Sequence, residues 1–138
     1  MSLDLREIEV GLYKAVSDLN LVAAGRVAYE NNNVSDELFP RVEVDIVVRN
    51  HPVLNAKGSI ETENGRVAVT IITRKDNGTA DAAAITQQLW DAFYPGATID
   101  LPTSGALQFT RFPRIDDAYE DYSSWRQPVM LYYHVAVL

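Results

Sequence analysis

The chain has 138 residues, of which 47% are hydrophobic and 22% charged. This length fits one domain, and the composition is that of a globular protein rather than of a disordered chain. A net charge of −7 argues against nonspecific nucleic-acid binding, because an acidic surface repels phosphates. We therefore expect a single domain over residues 1–138 whose charge does not hold DNA.

The sequence contains no cysteine, which excludes disulfides and thiolate metal sites and fits a reducing cytosol. No apolar stretch approaches the roughly 18 residues that span a bilayer. The first twelve residues already carry Asp4, Arg6, Glu7 and Glu9. We therefore expect neither a signal peptide nor a membrane anchor.

The first half of the chain predicts one helix followed by strands. A helix capped by Ser2 and ending near Asn20 is indicated by apolar residues at helical spacing. Those apolar residues are Leu5, Ile8, Leu12, Ala15 and Leu19. A short strand over 26–29 and a loop to residue 40 follow, and alternating valines then predict a strand over Arg41–Arg49 with one buried face.

Residues 50–64 predict a long connection before the next strand. Residues 50–60 are typical of a crossing loop or of a bulged extension of the preceding strand. Asn64 and Gly65 predict a hairpin turn, because both residue types accept a positive φ. We expect this hairpin to lead into a β-branched strand over 66–74.

A second helix is predicted to begin at Thr79, after a turn at 76–78, and to end before Pro95-Gly96. Ile85, Leu89 and Phe93 share one face of it, and we expect that face to pack on the sheet. Short strands over 97–101 and 107–111 follow. Residues 114–126 lack a period and predict an irregular excursion or arm. Residues from 128 onward predict a central strand or one covered on both sides. The fold class is therefore α+β, a mixed and mostly antiparallel sheet with two main helices.

The densest acidic cluster contains Asp116, Asp117, Glu120 and Asp121. Such oxygens can hold a hard cation, but the segment lacks the glycine and ligand order of an EF-hand, so we interpret it as a solvated docking surface. The two histidines are far apart in sequence, and no serine lies in a Gly-x-Ser-x-Gly elbow. We expect no catalytic residue, no cofactor and no metal site.

Aromatic residues concentrate near the same arm. Tyr119 and Tyr122 are interpreted as interface residues and Trp125 as a core anchor, because tyrosine and tryptophan combine a large apolar surface with a polar atom. Arg111, Arg114 and Arg126 flank the acidic cluster and are expected to pair with it or with a neighbouring subunit. The predicted interface set is His51, Asn64, Arg114, Asp116, Asp117, Tyr119, Glu120, Asp121 and Tyr122.

Several short patterns follow one another along the chain. They are VAYEN at 27–31, Phe39-Pro40 before the strand at 41, the strand after Gly65, the helix at 82–93, and WRQPV at 125–129 followed by tyrosines. In this order they resemble the tail terminator, or tail completion, proteins of long-tailed bacteriophages. The resemblance implies a small α+β subunit that forms a hexameric ring on the head-proximal end of the tail tube, stops tube polymerisation and meets the head–tail connector.

The same resemblance implies a virion protein assembled in the host cytoplasm, with the tube protein, the connector and copies of itself as partners. DNA is then expected to pass through the lumen without specific binding. A neighbouring neck or head–tail connector protein is the alternative within this class. A small cytosolic enzyme or a ligand-binding domain is the alternative outside it, and a convergent polar pocket would favour either of these.

Overall fold

The computed structural model describes residues 5–22, 27–28, 39–49, 53–54, 60–75, 78–102, 105–121 and 124–136. Within them two helices and nine strands occur. They are α1 Leu5–Asp18, β1 Val27–Ala28, β2 Arg41–Arg49, β3 Val53–Leu54, β4 Ile60–Arg74, α2 Gly78–Ala92, β5 Thr98–Leu101, β6 Gly105–Phe109, β7 Arg114–Ile115, β8 Tyr119–Asp121 and β9 Ser124–Ala136. Neither helix in these ranges has the length and apolarity needed to cross a membrane.

The strands form one sheet in the order β1-β2-β4-β9-β6-β5. Its centre is the antiparallel pair of β4 and β9, which keep one register from Thr62 opposite Ala136 to Arg74 opposite Ser124. β3 continues the β2 edge of β4, while β7 and β8 pair with β9 beyond the end of β6. Among the described strands only β1 and β2 run parallel, which confirms the predicted mixed, mostly antiparallel α+β fold.

The core lies between one face of this sheet and the two helices. Side chains alternate along strands, so β4 and β9 direct every second residue, such as Val69 and Leu131, into the core. α2 covers it with Ile85 and Leu89, and Phe93 continues the same face just past the end of the helix, as predicted. α1 contributes Ile8, Leu12 and Val16, of which the predicted set lacked Val16. Leu5 lies in α1, but its side chain, like the predicted cap Ser2, lies outside the described residues.

α1 packs against β5 through a close approach at Gly11. A β-carbon built at Gly11 would lie 3.0 Å from Leu101 Cδ2 and 3.6 Å from Ile99 Cγ2. The missing side chain therefore lets the helix backbone lie near the strand, although glycine costs about 1 kcal/mol of helix propensity relative to alanine. This contact fixes α1 at the β5 end of the sheet.

The predicted hairpin at Asn64 and Gly65 is wrong. β4 runs without a turn from Ile60, and Gly65 pairs with Tyr133 of β9 inside it. A β-carbon at Gly65 would lie 2.5 Å from the Tyr133 hydroxyl oxygen. Glycine is needed here for the close approach of a distant tyrosine rather than for a positive φ. The predicted loop over 50–64 is correspondingly shorter, since β3 and the start of β4 lie within it.

The predicted irregular arm over 114–126 is also wrong, because β7, β8 and the start of β9 lie within it. Pro128, predicted to open the last strand, lies inside β9 opposite Thr70. The Pro128 oxygen accepts a hydrogen bond from the Asp116 amide, but proline has no N–H to return to the Asp116 carbonyl. Gln127 Nε2 donates to that carbonyl instead, at 2.6 Å. A side chain of β9 thus replaces the missing ladder bond to Asp116, which follows β7.

Arg41 differs from the alternation predicted for β2. Its side chain belongs to the face turned away from the helices, yet it is buried. The guanidinium lies 5.2 Å from the centroid of the Phe39 ring, a cation–π distance, and that of Arg74 lies 5.8 Å from the same ring. The aromatic ring therefore covers a charge that the period-2 pattern places in solvent.

Candidate assembly surface

Most of the predicted interface residues lie along the β7–β8 edge of β9. Arg114 Nε is 2.7 Å from Asp116 Oδ1, and Nη2 is 3.3 Å from Oδ2, so the two side chains form a bidentate pair. These hydrogen bonds, together with the nearby Tyr132 phenol, raise the pKa of Arg114 above its ordinary value. Arg111 lies over the Tyr132 ring at 3.9 Å. Arg114 and Arg111 thus both contact side chains of their own subunit.

The rest of the acidic cluster is also largely paired. Glu120 Oε2 lies 3.3 Å from Lys75 Nζ, with both side chains about half-exposed. Arg126 connects β8 and β2, with Nε 3.0 Å from Asp121 Oδ2 and Nη1 3.5 Å from Glu43 Oε2. The Nε–H is not aimed at the Asp121 oxygen well enough for a hydrogen bond, so this contact is an ion pair. The Arg126 side chain is more buried than those of Lys75 and Arg114. Because Arg126 belongs to β9 and pairs with β8 and β2, it connects three strands.

Four predicted interface residues of this edge are exposed, namely Arg114, Asp117, Tyr119 and Glu120. Tyr119 is 49% exposed, and Asp117 has no ion pair within the described part of the chain. Asn64 lies elsewhere, hydrogen-bonded to His134. His134 and Arg126 are separated along β9 by roughly 26 Å at about 3.3 Å per residue. The structure therefore does not bring Asn64 to the edge, and His51 and Tyr122 lie outside the described residues.

Beside this edge lies a groove between α2 and β7–β9, with a volume of about 530 Å³. Its wall residues on α2 are Ala82, Ala83, Thr86, Gln87 and Trp90, and those opposite are Ile115, Ala118, Trp125 and Gln127. We call this the α2 groove. Trp125, predicted as a core anchor, packs partly against the core and also lines it.

Exposed aromatic and aliphatic side chains border the α2 groove. Phe112 stacks on Trp90 with ring centroids 4.7 Å apart, yet remains 48% exposed, and Ile115 is 50% exposed. Large apolar residues at this exposure beside a concave apolar surface are typical of an interaction site. Sequence reasoning missed this groove because its walls join α2 to β7, to the connection that follows β7 and to β9, which lie apart along the chain. The only sequence signal was the aromatic and apolar content of 112–125.

Two smaller cavities are present in the described regions. One of about 470 Å³ lies between α1 and β5, and one of about 180 Å³ is bordered by Phe39, Thr73, Arg74 and Asp81. No group of three or more metal-ligating side chains occurs among the described residues. The arrangement is suited to protein contact, with an apolar groove, exposed aromatic rings and a charged rim.

Comparison with known proteins finds solved structures of similar fold. One solved structure with no functional name superposes with a TM-score of 0.80 at 15% identity, over 99% of each chain. A chain from the virion of a native gene transfer agent particle has a TM-score of 0.50 at 16% identity, over 94% of this chain and 96% of its own. These likenesses concern the fold.

No curated protein gives a significant sequence match. The model of the family described as phage tail terminator protein, however, matches residues 7–133 and so spans almost the whole chain. This match covers most of α1, all of α2 and the sheet as far as Tyr133 of β9. The chain therefore belongs to the phage tail terminator protein family and is a structural protein of the phage tail.

Proposed function

We propose that the protein assembles into a ring of six subunits that caps the head-proximal end of the tail tube. The ring stops tube polymerisation and offers its other side to the head–tail connector. The observation that carries this proposal is the family match over residues 7–133. The α2 groove and its exposed apolar border support it, because a ring-forming subunit must keep unsatisfied surface until it meets its neighbours.

Termination follows from complementarity on one side only. A subunit whose lower face fits the tube protein can join the growing end, and a different upper face then gives the next tube subunit nothing to bind. Lateral contacts are saturated when a head-to-tail interface closes into a ring. The proposed partners are therefore copies of this chain, the tube protein and the connector, and the whole of residues 1–138 is proposed to act as one domain.

The proposed ring is compatible with DNA passage. Six copies at −7 each carry a total of −42, and a lumen that shares this charge repels the phosphate backbone. DNA then moves through without specific contacts. We place the assembled ring at the head-proximal end of the tail and its assembly in the host cytoplasm.

Tyr119→Ala tests whether the β7–β8 edge is a docking surface. Because Tyr119 is half-exposed, the substitution should change the free energy of unfolding by less than about 0.5 kcal/mol. Ring formation or attachment to the tube should nevertheless weaken, since exposed tyrosines are frequent interface hot spots. Phage made with this variant are imaged by negative stain and counted for joined heads and tail length. Gln88→Ala, on an exposed part of α2 outside the groove, is the matched control.

The images separate the possible outcomes. Tails of normal length, joined to heads at the normal frequency with Tyr119→Ala, would show that Tyr119 does not belong to a docking surface. Deletion of the whole gene is expected to give tubes of uncontrolled length. Tails of normal length that fail to join heads would instead favour the connector function, and normal phage without the gene would remove the proposal altogether.

A further inference from the structure

The sheet face turned away from the helices carries a band of polar side chains. Val67 of β4 and Tyr133 of β9 are buried in the core, and side chains alternate along a strand. Their neighbours Arg66 and Tyr132, which are partners in the β4–β9 register, therefore point to the opposite face. We call the exposed and half-buried polar residues of this part of the face the donor band. They are Asn64, Arg66, Gln108, Arg111, Arg114 and Tyr132.

Three arginines of the donor band surround the Tyr132 ring. The Arg111 guanidinium lies 3.9 Å from the ring centroid and that of Arg114 lies 5.9 Å from it. Arg66 is the cross-strand partner of Tyr132 on β4. Arg114 is paired with Asp116, whereas Arg66 and Arg111 form no ion pair within the described part of the chain. Two cations of the cluster are therefore available to an anion from outside.

The neighbouring row of the same face is uncharged. The register aligns Asn64 of β4, His134 of β9, Gln108 of β6 and Thr98 of β5 across four strands. The Asn64 amide oxygen accepts a hydrogen bond from His134 Nδ1, which leaves the Asn64 NH2 group as a donor. The Gln108 side chain is exposed and carries a second amide NH2 group. The arginine cluster is thus extended by neutral donors.

The cations of the band outnumber the carboxylates beside them. Asp116 binds Arg114. On β2, Asp45 aligns with Ala68 and is therefore a diagonal neighbour of Arg66, at roughly 7–8 Å. Three guanidinium groups next to two carboxylates leave a locally positive surface on a chain whose net charge is −7. Such a surface attracts an anionic partner.

The composition of the band favours a nucleic-acid backbone as that partner. None of the exposed large hydrophobic residues in the described ranges belongs to the band. Protein interfaces depend on such apolar side chains as anchors. Phosphate oxygens are instead bound by arginine together with asparagine, glutamine and tyrosine, which are the residue types present here. An acidic protein segment is therefore the less suitable partner.

We propose that the donor band faces the lumen of the ring and contacts the phosphate backbone of the DNA that passes through it. Arg66 and Arg111 bind phosphate oxygens, the two amides donate to them, and no base is read. Because the chain as a whole carries −7, the surrounding surface repels phosphates and keeps the contact weak. DNA is then guided rather than held. This inference rests on the proposed ring and names the surface that DNA meets inside it.

Fluorescence anisotropy with a labelled duplex of about 30 base pairs tests the band on the purified full-length protein. Wild type should bind duplexes of different sequence equally, and Arg66→Gln/Arg111→Gln should lower the affinity about fivefold to tenfold at about 20 mM salt. The slope of log K against log salt should become shallower by about one to two. Arg66→Lys/Arg111→Lys keeps both charges and should retain most of the affinity. Lys14→Gln/Lys75→Gln, at exposed positions outside the band, is the matched control and should change the affinity less than about twofold.

Photo-crosslinking maps the contact directly, since the natural chain has no cysteine to interfere. Gln108→Cys is labelled with an azidophenacyl group, mixed with the duplex and irradiated. Gln88→Cys, on an exposed part of α2, is the control. We expect the label at position 108 to give at least about fivefold more protein–DNA product than the label at position 88.

The outcomes separate this inference from the proposed ring. If wild type binds no duplex at about 20 mM salt, or if the arginine and lysine double variants lose affinity equally, the donor band is not a DNA contact, while the terminator ring stands. Tighter binding of polyglutamate than of the duplex, lost in Arg66→Gln/Arg111→Gln, would assign the band to an acidic protein segment instead. Absence of rings, even with tail tubes, would refute the proposed ring, and the duplex measurements would then show separately whether the band binds phosphates.

Discussion

Gly65 faces Tyr133 across the β4–β9 pair, and a β-carbon there would lie 2.6 Å from the ring atom Cζ. Tyr133 is 1% exposed and so has little room to move. We expect Gly65→Ala to lower the free energy of unfolding by about 1–3 kcal/mol through overpacking, measured by urea denaturation.

A double-mutant cycle identifies the cause of this loss. In a Tyr133→Leu background the same Gly65→Ala change should cost much less, because the six-membered ring is gone. An equal cost in both backgrounds would show that alanine disturbs the strand at Gly65 for a reason other than the tyrosine.

Leu89 lies on the inner face of α2 and is fully buried against the sheet. Leu89→Ala should lower the free energy of unfolding by about 2–5 kcal/mol, through lost burial and the cavity left behind. Its exposed neighbour provides the control, since Gln88→Ala should stay within about 0.5 kcal/mol of wild type. A loss for Leu89→Ala no larger than that of the control would mean that the helix is oriented differently.

Asp117 is the carboxylate of the acidic cluster that has no ion pair among the described residues. The other three carboxylates of the cluster each already face a lysine or an arginine. A hard cation would have to displace those charges, so calorimetry should detect no calcium or magnesium binding tighter than roughly 10 μM. Tighter binding that disappears in Asp117→Asn would establish a metal site instead.

Among the elements, β8 is linked to β2 by the side chain of Arg126. Arg126 is mostly buried and forms ion pairs with both β8 and β2. Arg126→Met keeps much of the side-chain volume but leaves Asp121 and Glu43 without their cation. The free energy of unfolding should fall by about 1–3 kcal/mol. Lys75→Met breaks the half-exposed pair with Glu120 on the same strand and should cost no more than about 0.5 kcal/mol. Equal losses for the two variants would contradict this ranking.

The elements whose apolar residues recur at a regular spacing were predictable from the sequence. β2, α2 and the core half of β4 show alternation or helical spacing over nine or more residues, and the structure confirms them. β7 and β8 are two and three residues long, too short to show a period, and are strands only because β9 lies beside them. The false hairpin has the same origin. Asn64 and Gly65 are a strong local turn signal, while the tyrosine that requires the glycine lies far along the chain.

At the scale of the molecule, the sequence predicted what the surface contains but not its shape. The acidic cluster, its arginines and Tyr119 were recognised from local composition. The α2 groove was not, because its walls join residues 82–90 with residues 115–127 and only the folded sheet brings them together.

The position of β9 in the sheet also sets an order for folding. Its partner strand β4 lies 50 to 74 residues earlier in the chain, from the pair Arg74–Ser124 to the pair Thr62–Ala136. Closing loops of this size costs entropy before any contact is gained, so sheets built from distant strands fold in milliseconds to seconds, whereas helices form in about a microsecond. Until β9 inserts, β4 and β6 have unpaired edges. In the proposed assembly, each new subunit completes this slow step before it joins the ring.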